Sequence, residues 1–226
     1  METSQEIKKY YDELADQYDQ DRFENSYGQY IHTQEMDILL RWSTQKSAKK
    51  SVDLACGTGR FMEFAGLGID ISERMILEAQ RKHPHKSFKV ADAARLPISK
   101  GTFNNALCFH LFMHLNEEKF REILKEVHRI LPTGGAFIWD IPSKNRRKRG
   151  RRKSTSWHGS YALDLVDIDR LVGDHWHIVN CTGVAMFPIH RIPKKWRPAL
   201  RKLDSLLCRS FLKSYASYLV IEMTKK

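Results

Sequence analysis

The chain has 226 residues, a formal net charge of +11, and 42% hydrophobic and 29% charged residues. That length suits one domain with a sizeable core, and the interspersed composition excludes a fibrous or wholly disordered chain. No stretch reaches the roughly 18 apolar residues of a membrane span, and Met1 to Tyr11 lacks the apolar centre of a signal peptide, so a cytoplasmic protein is expected.

The N-terminal residues read as two helices, about Gln5 to Gln20 and about Tyr27 to Ser43. A polar linker, Thr44 to Lys50, leads into an alternation of strand-like and amphipathic segments, the pattern of a parallel sheet with helices on both faces. Strands are expected at Ser51 to Cys56, Gly66 to Asp70, Ser87 to Val90, Asn104 to Phe109 and Ala136 to Ile141. The clearest helices are Ser72 to Lys82 and Asn116 to Leu131, each opened by a capping side chain, the second with apolar residues at three- and four-residue spacing. Beyond a basic run come a helix near Ala162 to Val172, an extended stretch from Trp176 to Phe187, a basic helix from Trp196 to Leu212 and a last strand from Tyr215 to Met223. Cys56, Cys108, Cys181 and Cys208 form no CxxC pair, so neither a zinc site nor a disulfide framework is indicated.

The segment Val52 to Arg60, VDLACGTGR, is a strand ending in a glycine turn that is expected to lead straight into a helix. Glycines there let the backbone approach a ligand, and the first helical turn would aim N–H groups at it. Asp70 ends the next strand, where a carboxylate accepts from ribose hydroxyls, and Asp92 follows the third, within reach of an exocyclic amine. Polar groups thus stand at successive carboxyl ends of strands, the ligand-binding edge of an open α/β sheet. The G-x-G-x-x-G spacing of a dinucleotide-binding turn is absent, because Arg60, Phe61 and Met62 follow Gly59.

In order and spacing, YYDELADQYD, VDLACGTGR, GIDISERM, VADAARLP, NNALCFHLFMHL and EVHRILPTGGAFIWD resemble the class I S-adenosylmethionine-dependent methyltransferases of small-molecule or lipid type, from about Tyr10 to Ile141. The resemblance implies an α/β, Rossmann-like, doubly wound sheet of seven strands, mostly parallel with an antiparallel last strand. It also implies S-adenosyl-L-methionine as cofactor, S-adenosyl-L-homocysteine as product, and no metal. Residues 1–45 would be an N-terminal helical lid and 46–226 the cofactor-binding domain, with a basic loop at 144–153 and a variable acceptor region at 154–212. Asp53 would support the loop in which Ala55, Gly57 and Gly59 lie against the methionine moiety. Asp70 would hold the ribose, Ile71 and Met75 would border the adenine, and Asp92 with Ala93 would read its amino edge. Phe109 and His110 would flank the cofactor, and Tyr11 and Tyr18 would cover it. The sequence departs from the family at Ala55, where the first glycine is usual, at Asn104, and at Leu131 to Gly135. Only eleven positions separate Gly59 from Asp70, so the intervening helix should have little more than two turns.

Methyl transfer requires positioning and desolvation, and a general base only where the nucleophile must lose a proton. His110 and His114 are the expected catalytic histidines, with Trp157 and His158 as acceptor contacts. Tyr161, Trp176, Phe187 and Trp196 could also line an apolar acceptor pocket. Eight of the ten residues from Lys144 to Lys153 are basic. Three readings stand: a solvated loop, a patch for an anionic membrane or phosphate-bearing acceptor together with the helix beginning near Lys194, and an RNA-docking loop. The functions to be distinguished are methylation of a small-molecule or lipid-type acceptor, methylation of RNA, and a non-catalytic S-adenosylmethionine-binding scaffold.

Overall fold

A computed structural model describes residues 4–44, 46–149 and 160–226. Seven strands form one sheet in the order β3-β2-β1-β4-β5-β7-β6. They are β1 (Ser51–Leu54), β2 (Leu67–Asp70), β3 (Ser87–Val90), β4 (Asn105–Cys108), β5 (Ala136–Pro142), β6 (Trp176–Val184) and β7 (Tyr218–Lys225). β1 pairs in parallel with both β2 and β4, Val52 standing opposite Leu67 on one side and Ala106 on the other. β7 runs antiparallel to β5 and to β6, so it alone opposes the sheet direction. Strand order reverses between β1 and β4, which opens a crevice at the carboxyl ends of these strands.

The helices are α1 (Ser4–Leu14), α2 (Tyr18–Phe23), α3 (Ser26–Ser43), α4 (Glu73–Lys82), α5 (Glu117–Ile130), α6 (Lys144–Arg149), α7 (Leu165–Val172) and α8 (Arg197–Arg209). The two-residue period of β4 divides the core. Ala106 and Cys108 join the cluster under α5, whereas Leu107 and Phe109 join the cluster under α3. On α5 the buried stripe is Phe120, Ile123, Leu124, Val127 and Ile130, and Asn116 Oδ1 caps the first turn by accepting from Lys119 N at 2.8 Å. Phe120 is fully buried against Phe112 and Trp139, so truncating it to alanine costs about 3 to 5 kcal/mol.

Four expectations are corrected. No helix joins β1 to β2: residues 57–64 make successive tight turns, with Gly59 N donating to Cys56 O, Met62 N to Gly59 O and Phe64 N to Phe61 O. Left-handed backbone at Gly57 (φ 52) and Gly59 (φ 85) interrupts helical geometry, while Phe61, Met62, Phe64 and Ala65 must all be buried within this short span. The N-terminal helix is broken by a 3-10 turn at Ala15–Gln17, which redirects the chain into α2. The first six residues of the basic run are the helix α6 and not a loop, and the rest of that run lies outside the described residues. The basic helix near the C-terminus ends at Arg209, ahead of a 3-10 segment, Phe211–Tyr215, and the last strand starts at Tyr218.

Candidate active site

The crevice at the strand ends contains a cleft of about 720 Å³ when the open solvent at its mouth is included. Tyr11, Tyr18, Ala55, Gly57, Asp70, Ile71, Met75, Asp92, Ala93, Phe109, His110 and His114 all line it. Asp53 does not; it stands behind the turn against an adjoining recess beside Arg60, almost fully buried, and that burial pushes its carboxyl well above the usual range. Gly59 does not line the cleft either. A Cβ there would meet the His83 ring at 2.7 Å, so its lack of a side chain serves packing. At Gly57, by contrast, an added Cβ would find only Tyr18 Cε1, at 4.0 Å, leaving open space toward the cleft. Ala55 holds a left-handed φ of 55 although it carries a side chain.

Asp70 ties the turn to the second strand: Oδ2 accepts from Gly57 N and Oδ1 from Ser72 N, both at 2.9 Å. Each carboxylate oxygen retains a further lone-pair direction, so the group can still accept from a ligand. Burial raises its pKa, opposed by those N–H groups. Asp92 Oδ1 accepts from Ala94 N at 2.9 Å and Oδ2 lies 3.2 Å from Lys119 Nζ.

The N-terminal segment crosses the cleft and is held by polar bonds to the elements beneath. Asp12 Oδ1 accepts from Ser72 Oγ at 2.6 Å, and Asp16 pairs with Arg74 at 2.5 Å. Asp19 accepts from Thr58 Oγ1 at 2.6 Å and pairs with Lys82. The Tyr11 hydroxyl lies 3.0 Å from His114 Nε2, bridging α1 and the segment after β4. Burial pushes the Tyr11 phenol well above its usual range.

Sequence reasoning missed a buried charge cluster near this N-terminal segment. Glu35 of α3, fully buried, accepts from Arg60 Nη1 at 2.7 Å, and its other oxygen lies 2.8 Å from His110 Nε2. Asp140 of β5, also buried, accepts from His110 N at 2.6 Å and lies 3.5 Å from His110 Nδ1. The His110 backbone is left-handed, with φ 59, and the Asp140 bond to its N–H holds that strained turn. Arg60 stacks on Phe23 and Phe61, at 4.1 and 4.0 Å from the ring centroids. Burial opposes ionisation of Glu35, yet Arg60 and His110 overcome it and lower the carboxyl to about 2. Burial would lower His110, but Asp140 and Glu35 raise it above its ordinary value. With His110 protonated, two cations and two carboxylates sum to zero. Donor atoms of Glu35, His110 and Asp140 lie within 4.8 Å of one another, a spacing that could hold a metal ion. The two carboxylates face opposite ring nitrogens, Glu35 at Nε2 and Asp140 at Nδ1, so an imidazolium would point one N–H toward each. Only a lone glutamate within an amphipathic helix was visible in the sequence, which is why Glu35 carried no signal there.

Beside the cleft, and sharing Tyr11, Tyr18, His110 and His114 with it, is a second chamber walled by Phe23, Tyr27, Met113 and Tyr218, with Arg22 at its side. The aromatic residues expected to line an acceptor pocket are elsewhere. Trp176 is in the core, Tyr161 and Phe187 pack against core clusters, and Trp196 is exposed. Trp157 and His158 lie outside the described residues.

Residues 52–135 match the family model described as a methyltransferase domain. An uncharacterised protein of Methanocaldococcus jannaschii is 35% identical over 140 residues, covering 60% of this chain and 51% of that protein. A ubiquinone/menaquinone biosynthesis C-methyltransferase of Rubrivivax gelatinosus is 27% identical over 61% of this chain and 56% of the relative. The chain thus spans about half the length of these curated relatives. Among solved structures, magnesium protoporphyrin IX methyltransferase from Synechocystis, with bound S-adenosylmethionine, superposes with a TM-score of 0.70 over 100% of this chain and 98% of that one, at 15% identity. The matched segment, the sheet order and the strand-end acids make this chain similar to class I S-adenosylmethionine-dependent methyltransferases.

Proposed function

We propose that the chain transfers the methyl group of S-adenosylmethionine to a small-molecule acceptor with an apolar or aromatic body, seated in the tyrosine-walled chamber. The observation that carries this is the adjacency of that chamber to the cleft beside Gly57 and Asp70, the two sharing walls formed by Tyr11, Tyr18, His110 and His114. The naming of relatives for ubiquinone/menaquinone biosynthesis and for magnesium protoporphyrin IX supports a small-molecule acceptor.

Bound S-adenosylmethionine supplies a methyl already activated on a sulfonium. Asp70 would hold the ribose hydroxyls through its remaining lone pairs, Gly57 would let the backbone approach, Ile71 and Met75 would border the adenine, and Asp92 with Ala93 would read its edge. Tyr11 and Tyr18 cover the cleft and exclude water. His110, its ring nitrogens turned to Glu35 and Asp140, forms a wall shared by the cofactor cleft and the acceptor chamber. His114, joined to the Tyr11 hydroxyl, is the group placed to receive a proton where the nucleophile loses one.

Calorimetric titration tests the cofactor half. S-adenosylmethionine and S-adenosylhomocysteine should bind while NAD does not, and Asp70→Asn should weaken binding about 10- to 100-fold, the cost of losing charge-assisted hydrogen bonds. Unaltered affinity in that variant would remove Asp70 from the ribose. Turnover against acceptor panels tests the rest: methylation of RNA but of no small molecule would overturn the acceptor class.

A further inference from the structure

Helix α8 is turned so that an apolar ridge faces solvent. Trp196, the residue that precedes the helix, and Ala199, Leu203 and Leu206 on it recur at three- and four-residue spacing, and all are exposed, with Leu206 at 67%. Phe211, in the 3-10 segment that follows, is 86% exposed. Lys195, Lys202 and Arg209, spaced by seven, form a basic row alongside. The helix cannot roll this ridge inward, because its opposite side is pinned through Asp204. That carboxylate is fully buried, accepting from Phe187 N at 2.6 Å and from Gln34 Nε2 at 2.8 Å. Asp204 is also the one acidic residue between positions 194 and 215, against seven Lys or Arg.

The basic surface continues beyond α8. Helix α6, with five basic residues among its six, packs on the segment carrying Phe211, and its Arg149 lies 4.1 Å from the Tyr215 ring centroid. Exposed Lys148 and Arg149 therefore flank the far end of the ridge.

We propose that α8, Phe211 and α6 form a docking surface for an anionic phospholipid bilayer, with the ridge entering the interfacial layer and the basic row lying against phosphate headgroups. The combination decides the occupant. Exposed tryptophan, leucine and phenylalanine beside lysine and arginine match an interface that is apolar within and anionic above, and such helices lie in its plane. A second copy of this chain would oppose like charge to like charge on the same row, and a nucleic acid backbone would leave the apolar ridge uncovered. Docking this way is peripheral; among the described residues no helix is long and apolar enough to cross a membrane. The proposal does not depend on the acceptor, since lipid binding is read without turnover.

Co-sedimentation with vesicles tests it, comparing phosphatidylcholine alone with phosphatidylcholine mixed with phosphatidylglycerol. The full chain should bind the anionic vesicles, release with added salt, and bind neutral ones at least about tenfold more weakly. Leu206→Glu with Phe211→Glu should abolish binding, while Lys202→Gln and Arg209→Gln should each weaken it roughly fivefold, about 1 kcal/mol per charge. All of these side chains are exposed, and an unchanged melting temperature and cofactor affinity would establish that each variant is folded. Independently, Trp196→Phe should remove most of the blue shift in tryptophan emission caused by anionic vesicles. The proposal is overturned by absence of vesicle binding, by binding that survives the double glutamate variant, by concentration-dependent self-association that buries Trp196, or by RNA binding that the double glutamate variant retains in place of lipid binding.

Discussion

Replacing Glu35 by glutamine keeps its shape and removes the charge on which Arg60 and His110 depend. The carboxyl falls from 4.5 to about 2 on folding, and at 1.36 kcal/mol per pKa unit that represents about 3 kcal/mol of stabilisation, even after burial has opposed it. Breaking a buried ion pair by removing one partner costs about 3 to 5 kcal/mol, in agreement. For a chain of 226 residues such a loss lowers the melting temperature by about 6 to 12 °C. The sign with pH follows from both partners. The lowered carboxyl contributes fully above 4.5, and its contribution is lost as pH falls toward about 2. His110 is raised, so its contribution is complete below 6.5 and is lost as pH rises through its folded value. The gap between parent and Glu35→Gln should therefore be widest between about pH 4.5 and 6.5 and should narrow toward either side. Thermal unfolding across pH measures it. A variant melting within about 2 °C of the parent at pH 6 would refute the reading of the four groups as one compensated cluster.

Three further outcomes are expected. Gly57→Ala and Gly59→Ala should separate, since both have left-handed backbone but only at Gly59 would the added Cβ clash with a side chain: the first should cost about 1 kcal/mol of stability and weaken cofactor binding more severely, and the second should destabilise by more, both read by melting and titration. Ala55→Gly should raise stability by up to about 1 kcal/mol, because strain at φ 55 exceeds the entropy that glycine adds to the unfolded chain, and a lowered midpoint in urea would contradict this. Tyr11→Phe should speed cofactor release roughly fivefold in stopped-flow, with His114→Ala matching it and the double variant no worse than either, as expected for partners in one contact.

The amphipathic pattern of α5, the capping serine and asparagine, and the acids at the strand ends are local signals, and they locate α4, α5 and the strand ends that form the candidate ligand edge. Asp70, Gly57, Met75 and Asp92 converge because each lies at, or within a few residues beyond, the carboxyl end of a parallel strand, and parallel strands place those ends together by construction. The span after Gly59 was misread as helical because its apolar content suits either a helix or packed turns. Only the short distance back to β2, together with left-handed glycines, selected the turns. Glu35, Arg60, His110 and Asp140 come from α3, the first turn loop, the end of β4 and β5, so no periodicity or spacing could join them. Their charges are compensated only where tertiary packing removes water, and that desolvation makes the cluster matter. The orientation of α8 was likewise decided in three dimensions, by buried Asp204, because sequence shows which residues share a helical side but not which side meets the core.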